Sequence, residues 1–167
     1  VTISETLGAS AVPSTTLSAK TPSSFNLDFQ TGIAENTLLF GTVRRVNWTQ
    51  TLLDPSSYPV RPLKKFTQDT TSYSLGLGRK FSDSWSGALT YGTEAAEGTA
   101  GGPLGPTDGY SKMGVGVTYA GQQATITLGM QKINLGDASS EAGGGVYKAA
   151  MSGNTALVTA VKVGYKF

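Results

Sequence analysis

The fold is decided by residues Lys112 to Gln131, KMGVGVTYAGQQATITLGMQ. Met113, Val115, Val117 and Tyr119 alternate with Lys112, Gly114, Gly116 and Thr118. Past Ala120-Gly121-Gln122, Ile126, Leu128 and Met130 alternate with Thr125, Thr127, Gly129 and Gln131. A period of two belongs to an extended strand, whose successive side chains point to opposite faces. The stretch therefore predicts two strands joined by a tight turn, one face bulky and apolar, the other built of glycine, hydroxyls and lysine.

The same pattern recurs on both sides. Phe25, Leu27, Phe29 and Ile33 alternate with Asn26, Asp28, Gln30 and Gly32, and Tyr73, Leu75, Leu77 and Phe81 with Ser72, Ser74, Gly76, Gly78 and Lys80. Trp85, Leu89 and Tyr91 oppose Ser86, Ala88, Thr90 and Gly92. Leu157, Val161, Val163, Tyr165 and Phe167 oppose Val158, Ala160, Lys162, Gly164 and Lys166. A further segment, Thr37 to Trp48, is apolar on both faces and sets Arg44 and Arg45 on opposite sides. That makes seven strands of about 9 to 13 residues. Glycine pairs such as Gly76-Leu77-Gly78 and Gly114-Val115-Gly116 lie inside strands with no helix after them, so they read as small side-chain positions and not as nucleotide loops.

Connections alternate in length. Ala34-Glu35-Asn36, Ser82-Asp83-Ser84 and Ala120-Gly121-Gln122 are tight turns, whereas 49–70, 94–110 and 134–153 are long and rich in Gly, Pro, Ser and Asp. Long strands, short turns on one side and long loops on the other are the pattern of a transmembrane antiparallel β-barrel with a lipid face and a lumen face. The aromatic residues agree. Phe81, Trp85, Tyr119, Tyr165 and Phe167 fall toward the short turns and Phe25, Trp48, Tyr73 and Tyr91 toward the long loops, as two interfacial girdles would. Among the acids only Asp28 falls inside a predicted strand.

Composition narrows the function. Charged residues make up 14% of the chain, against roughly 25% for an ordinary soluble domain. The chain has no Cys and no His, which removes disulfide scaffolds, thiol nucleophiles, the usual zinc sites and His-based acid–base catalysis. No catalytic residue, metal site or cofactor is expected. The net charge of +2 and a single short basic cluster, Arg61 to Lys65, argue against a nucleic-acid partner. No apolar run is long enough for a membrane-spanning helix, and no signal peptide is visible. A start at Val1 is expected of a fragment or a processed product, because seven strands leave residues 1–23 as a segment on the long-loop side, whereas a bacterial barrel has an even strand count.

Thr21 to Thr49, TPSSFNLDFQTGIAENTLLFGTVRRVNWT, with its Thr-Pro start, alternating strand, short turn and second strand ending in Trp-Thr, resembles the outer membrane long-chain fatty acid transport family, which also includes aromatic hydrocarbon transporters. The strand and loop order from there to Phe167 looks like the last seven strands of that family's fourteen. The resemblance implies a barrel monomeric when complete, plugged by an N-terminal hatch, that passes hydrophobic cargo passively across the bacterial outer membrane. The family's hatch and early strands have no counterpart in this chain. The ending Lys162-Val163-Gly164-Tyr165-Lys166-Phe167 is similar to the signal by which outer membrane barrels engage their assembly machinery, although its Gly sits closer to the end than is usual.

Parity places Asp28, Lys80, Lys112, Lys162 and Lys166 on the lumen face, together with one of Arg44 and Arg45, and Arg79 on the lipid face near the headgroups. A cationic lining attracts an anionic amphiphile. Arg44, Lys112 and Lys162 are therefore the candidate substrate-binding residues, in a chain expected to be no enzyme. A general porin or structural barrel is the alternative reading.

Overall fold

The structure, a computed structural model, describes residues 2–7, 10–16, 18–55, 62, 64–98, 107–142 and 147–166. The chain is all-β. Among the described residues thirteen strands run in the order β1 Thr2–Leu7, β2 Ser10–Thr16, β3 Ser24–Ala34, β4 Thr37–Val46, β5 Leu52–Leu53, β6 Lys64–Lys65, β7 Thr70–Lys80, β8 Trp85–Glu94, β9 Tyr110–Ala120, β10 Ala124–Leu135, β11 Ala138–Ala142, β12 Tyr147–Met151 and β13 Thr155–Tyr165. A 3-10 turn covers Trp48–Gln50.

The seven long strands form one antiparallel sheet, ordered β3-β4-β7-β8-β9-β10-β13, so each pairs with its neighbours along the chain. They are 10 to 12 residues long. The two outer strands, β3 and β13, do not pair with each other, and the sheet is open. The six smaller strands make three separate hairpins, β1-β2, β5-β6 and β11-β12. Two of these, β5-β6 and β11-β12, lie within connections that the sequence pattern presents as plain polar loops. Residues 1–23, expected as a loop segment, contain the β1-β2 hairpin.

Local chemistry explains the tight reversals. Between β3 and β4, Asn36 takes φ 57°, the left-handed conformation that Asn tolerates better than most residues. The β3–β4 register shifts between Gly32 and Ala34 just before it. Between β7 and β8 the Ser82 hydroxyl accepts from the N–H groups of Ser84 and Trp85, at 3.3 and 3.1 Å, and the Phe81 N–H donates to the Trp85 carbonyl at 2.8 Å. Serine closing a turn on its own backbone is a common device. Between β9 and β10 the Gly121 N–H donates to the Ala124 carbonyl at 2.8 Å.

Register sorts the side chains onto two faces. The apolar face contains Leu75, Tyr91 and Met113 in one cross-strand row, Leu77, Leu89, Val115 and Met130 in the next, and Val117, Leu128 and Val161 beyond. These groups are exposed: Leu89 is 62% and Val161 68% accessible. Among the described residues only Val46 and Ala138 are buried hydrophobics. The sheet thus has no core of its own.

Three positions go beyond or against the sequence reading. Alternation in β10 continues past Gln131, which puts Lys132 on the apolar face between Met113 and Leu157 and turns Ile133 to the opposite face beside Lys112. Glu94 closes β8, so Asp28 is not the only acid within the long strands.

Candidate functional site

The face opposite the apolar one is built of small and polar side chains in register. Nearest the short turns, Lys80, Ser86, Thr118, Thr127 and Lys162 form a row across five strands, with the Thr118 and Thr127 hydroxyls 2.9 Å apart. The next row is Gly78, Ala88, Gly116, Gly129 and Ala160. Above it Phe40, Gly76, Thr90, Gly114, Gln131 and Val158 share a level. Toward the long loops come Asp28, Thr42, Ser74, Gly92 and Lys112, and then Asn26, Arg44, Ser72 and Glu94.

The glycines have definite work at two positions. The Phe40 ring lies flat on Gly76, where any Cβ would fall inside it. The Lys112 stem crosses Gly92, and a Cβ there would stand 2.6 Å from its Cε. Where the small residues are uninterrupted, a hollow of about 500 Å³ opens over Gly78, Ala88, Gly116, Ser86, Thr118 and Thr127, with Asn36 and Lys80 at its margin.

Arg44 is the arginine on this face, since its guanidinium donates to the Asn26 side-chain carbonyl at 3.1 Å, while Arg45 faces the other way and donates to Thr71 at 3.3 Å. Lys112 lies over the Tyr110 ring at 5.2 Å. Lys162, on the edge strand, has no hydrogen bond or ion pair among the described residues. The three share a face but are not brought together. Arg44 and Lys112 stand three strand spacings and one row apart, about 16 Å, and Lys112 and Lys162, on either side of β10, lie opposite positions six residues apart, about 22 Å. Asp28 accepts from the Thr42 hydroxyl at 2.5 Å, on the edge opposite β13, so it is far from Lys162.

Lys80 is already engaged by Asp83 at 2.7 Å, and that hydrogen bond and charge hold the Asp83 carboxyl below its ordinary range. The cationic lining therefore reduces to Arg44, Lys112, Lys162 and Lys166 against Asp28 and Glu94.

At the long-loop end Trp48 stacks on Phe66 at 4.9 Å and donates through its indole N–H to Thr70 at 3.2 Å. Asp69 accepts from the Thr49 backbone and hydroxyl at 3.0 and 2.8 Å and pairs with Arg45 at 3.5 Å; the Thr49 bonds lower its pKa most. Asp108 accepts from the Glu97 and Gly98 N–H groups, both at 2.7 Å. Burial first, then the charges of Asp108, Glu94 and Asp69, raise the Glu97 carboxyl. Single-residue alternation carries no sign of this acidic corner, because Asp69, Glu97 and Asp108 lie outside the long strands. Among the described residues no group of acids is disposed to hold a metal ion.

In comparisons with known proteins, no protein-family model and no curated protein matches the chain.

Proposed function

We propose that this chain is a section of the wall of a transmembrane β-barrel in the bacterial outer membrane, one that lets hydrophobic compounds such as long-chain fatty acids cross passively. One observation carries the reading: a seven-stranded sheet with no core, whose exposed face is bulky and apolar between two aromatic levels. Soluble monomers rarely show contiguous apolar patches beyond a few hundred Å². Tyr73 on β7 and Phe81, the residue just past its end, mark the two levels. Eight residues at about 3.3 Å, tilted by about 40°, span about 20 Å of membrane, close to the apolar band of about 25 Å on outer membrane barrels.

The opposite face supports the transport part. Its glycine, alanine and hydroxyl rows keep the wall thin, and its unpaired cations suit a carboxylate headgroup moving past them. No bond is made or broken in this reading; the residues attract, orient and release. In this reading the rest of the barrel comes from other strands, because open edges in lipid leave backbone groups without partners.

The test is uptake in cells and in liposomes carrying the full-length polypeptide. Entry of a fluorescent long-chain fatty acid, with small sugars excluded in a swelling assay, is the expected result. Equal passage of sugars points to a general porin, and a protein that partitions into the aqueous fraction overturns the membrane reading.

A further inference from the structure

The apolar face carries a guanidinium that transport leaves without a role. Arg79 stands in register with Thr37 on one side and Gly87 on the other, and it is exposed. Among the described residues its side chain has no hydrogen bond or ion pair, in contrast to Arg45 on the same face, which Asp69 holds at 3.5 Å. Two residues farther on, Phe81 reaches the level of Trp85. Arg79 therefore lies one row, about 7 Å along the strand, to the membrane side of the aromatic level at the short turns.

Beside it the wall is notched. Gly87 has no side chain, and the Phe81 ring edges over it, 3.0 Å from where a Cβ would stand. The next strand continues into an apolar crevice of about 240 Å³ lined by Trp85, Val117, Tyr119, Ile126 and Leu128. The Trp85 and Tyr119 rings, 5.1 Å apart and tilted by 52°, close its short-turn end. Val117 shares a row with Gly87 and Arg79, so cation and crevice are separated by one strand that carries only a glycine at that level.

We propose that Arg79 and this crevice form a binding site for an anionic glycerophospholipid, with the phosphate on the guanidinium and one acyl chain in the crevice. The proposal rests on the membrane reading above, which makes this face the lipid-contacting one and the short turns periplasmic. In that orientation the adjoining leaflet supplies phospholipid, and not the saccharide-bearing lipid of the opposite leaflet. A lone charge on a lipid-facing wall needs a counter-charge, and the planar fork of arginine meets two phosphate oxygens at once. The crevice is lined by apolar and aromatic groups, which suit an acyl chain.

Trp85 reports on the site directly. The full-length barrel, with Trp48 and every other tryptophan replaced by Phe, is reconstituted in phosphatidylcholine bilayers containing mid-chain brominated phosphatidylglycerol or brominated phosphatidylcholine. Preferential quenching of Trp85 by the phosphatidylglycerol, about fivefold at equal mole fraction, is expected for one added ionic contact at a membrane surface. The preference should fall toward one in Arg79→Gln and only partway in Arg79→Lys, which keeps the charge but not the fork, with heat-modifiable gel migration showing that each variant is folded. Equal quenching by both lipids, or a preference unchanged in Arg79→Gln, overturns the lipid site while leaving the membrane wall intact. No quenching by either lipid overturns the outward orientation itself. If Arg79→Gln does not fold, the wild-type ratio and Arg79→Lys still decide.

Discussion

The two faces of the long sheet are drawn from the same strands, residue by residue in turn, yet they follow opposite rules of size. On one face bulk is the rule: Leu75, Leu89, Val115, Leu128 and Val161 stand exposed, one each on β7, β8, β9, β10 and β13. On the other, bulk is the exception, and the row Gly78, Ala88, Gly116, Gly129 and Ala160 carries at most a methyl group. A water-soluble sandwich also has two unlike faces, but there the bulky one is covered. On the proposed reading the two faces meet two solvents, hydrocarbon on the bulky side and a channel on the small one, and the contrast can be strained from either side.

The largest effect is expected from charge placed on the wrong face. Leu89→Arg, at the middle of the apolar band, should destabilise the folded barrel by about 2–4 kcal/mol, whereas Thr90→Arg, its neighbour on the opposite face, should fold nearly as well as the parent. Denaturant unfolding in bilayers of defined thickness measures both, and equal losses would erase the distinction between the faces.

Size on the polar face comes next. Gly76→Ala forces the Phe40 ring aside and is expected to cost about 1–3 kcal/mol, whereas Gly129→Ala, with nothing within 4 Å of the new methyl, should stay within about 0.5 kcal/mol. A similar shift in unfolding midpoint for both would show that Phe40 is freely mobile over the sheet.

Cargo selectivity should move less. Lys162→Glu is expected to slow a fatty acid relative to a neutral hydrocarbon of similar length by about fivefold, the equivalent of about 1 kcal/mol of like-charge repulsion in wet surroundings. Lys132→Glu, on the outer face, should leave that ratio alone. Uptake rates normalised to folded barrel in the membrane decide between them.

The smallest effect concerns pH at the long-loop end. The Glu97 carboxyl is raised above its ordinary value of 4.5, so its contribution to loop stability is full below that value and fades as pH rises through the folded value. Asp69 is lowered from 3.8, so its contribution is present above 3.8 and is lost as pH falls through its folded value. Backbone exchange at Glu97 and Gly98 should therefore quicken from acid toward neutral pH, once the intrinsic rate is divided out, while that at Thr49 should slow. Parallel trends at both places would contradict the opposite causes assigned to the two acids.

Much of this sheet is legible in single-letter alternation, because a strand's faces obey a strict period and nothing in Leu75-Gly76-Leu77-Gly78 competes with it. The three short turns are legible too, from Asn36, Ser82 and Gly121. Lys132 and Ile133 were hidden because the alternation of chemistry stops there while the alternation of geometry goes on. The β5-β6 and β11-β12 hairpins are held by short pairings within Gly-, Ser- and Pro-rich segments that show no period. Of the candidate site, the side of the sheet was readable for Lys112 and Lys162 from parity, but the choice between Arg44 and Arg45 needed the Asn26 and Asp69 contacts. The spacing between the three cations depends on strand order and register, which no single strand encodes.

The open edges of the sheet also restrict its symmetry. Six reversals separate β3 from β13, so the two edges run in the same direction. Two copies related by a two-fold axis along the membrane normal would meet edge to edge with their strands parallel, a weaker ladder than the antiparallel one used everywhere else in the sheet. An axis lying in the membrane plane restores antiparallel seams but sends the long loops of one copy to the opposite side of the bilayer from those of the other. An antiparallel cylinder with all its long loops on one side is therefore not available to a homodimer; closing one around this sheet takes an odd number of strands that differ from these.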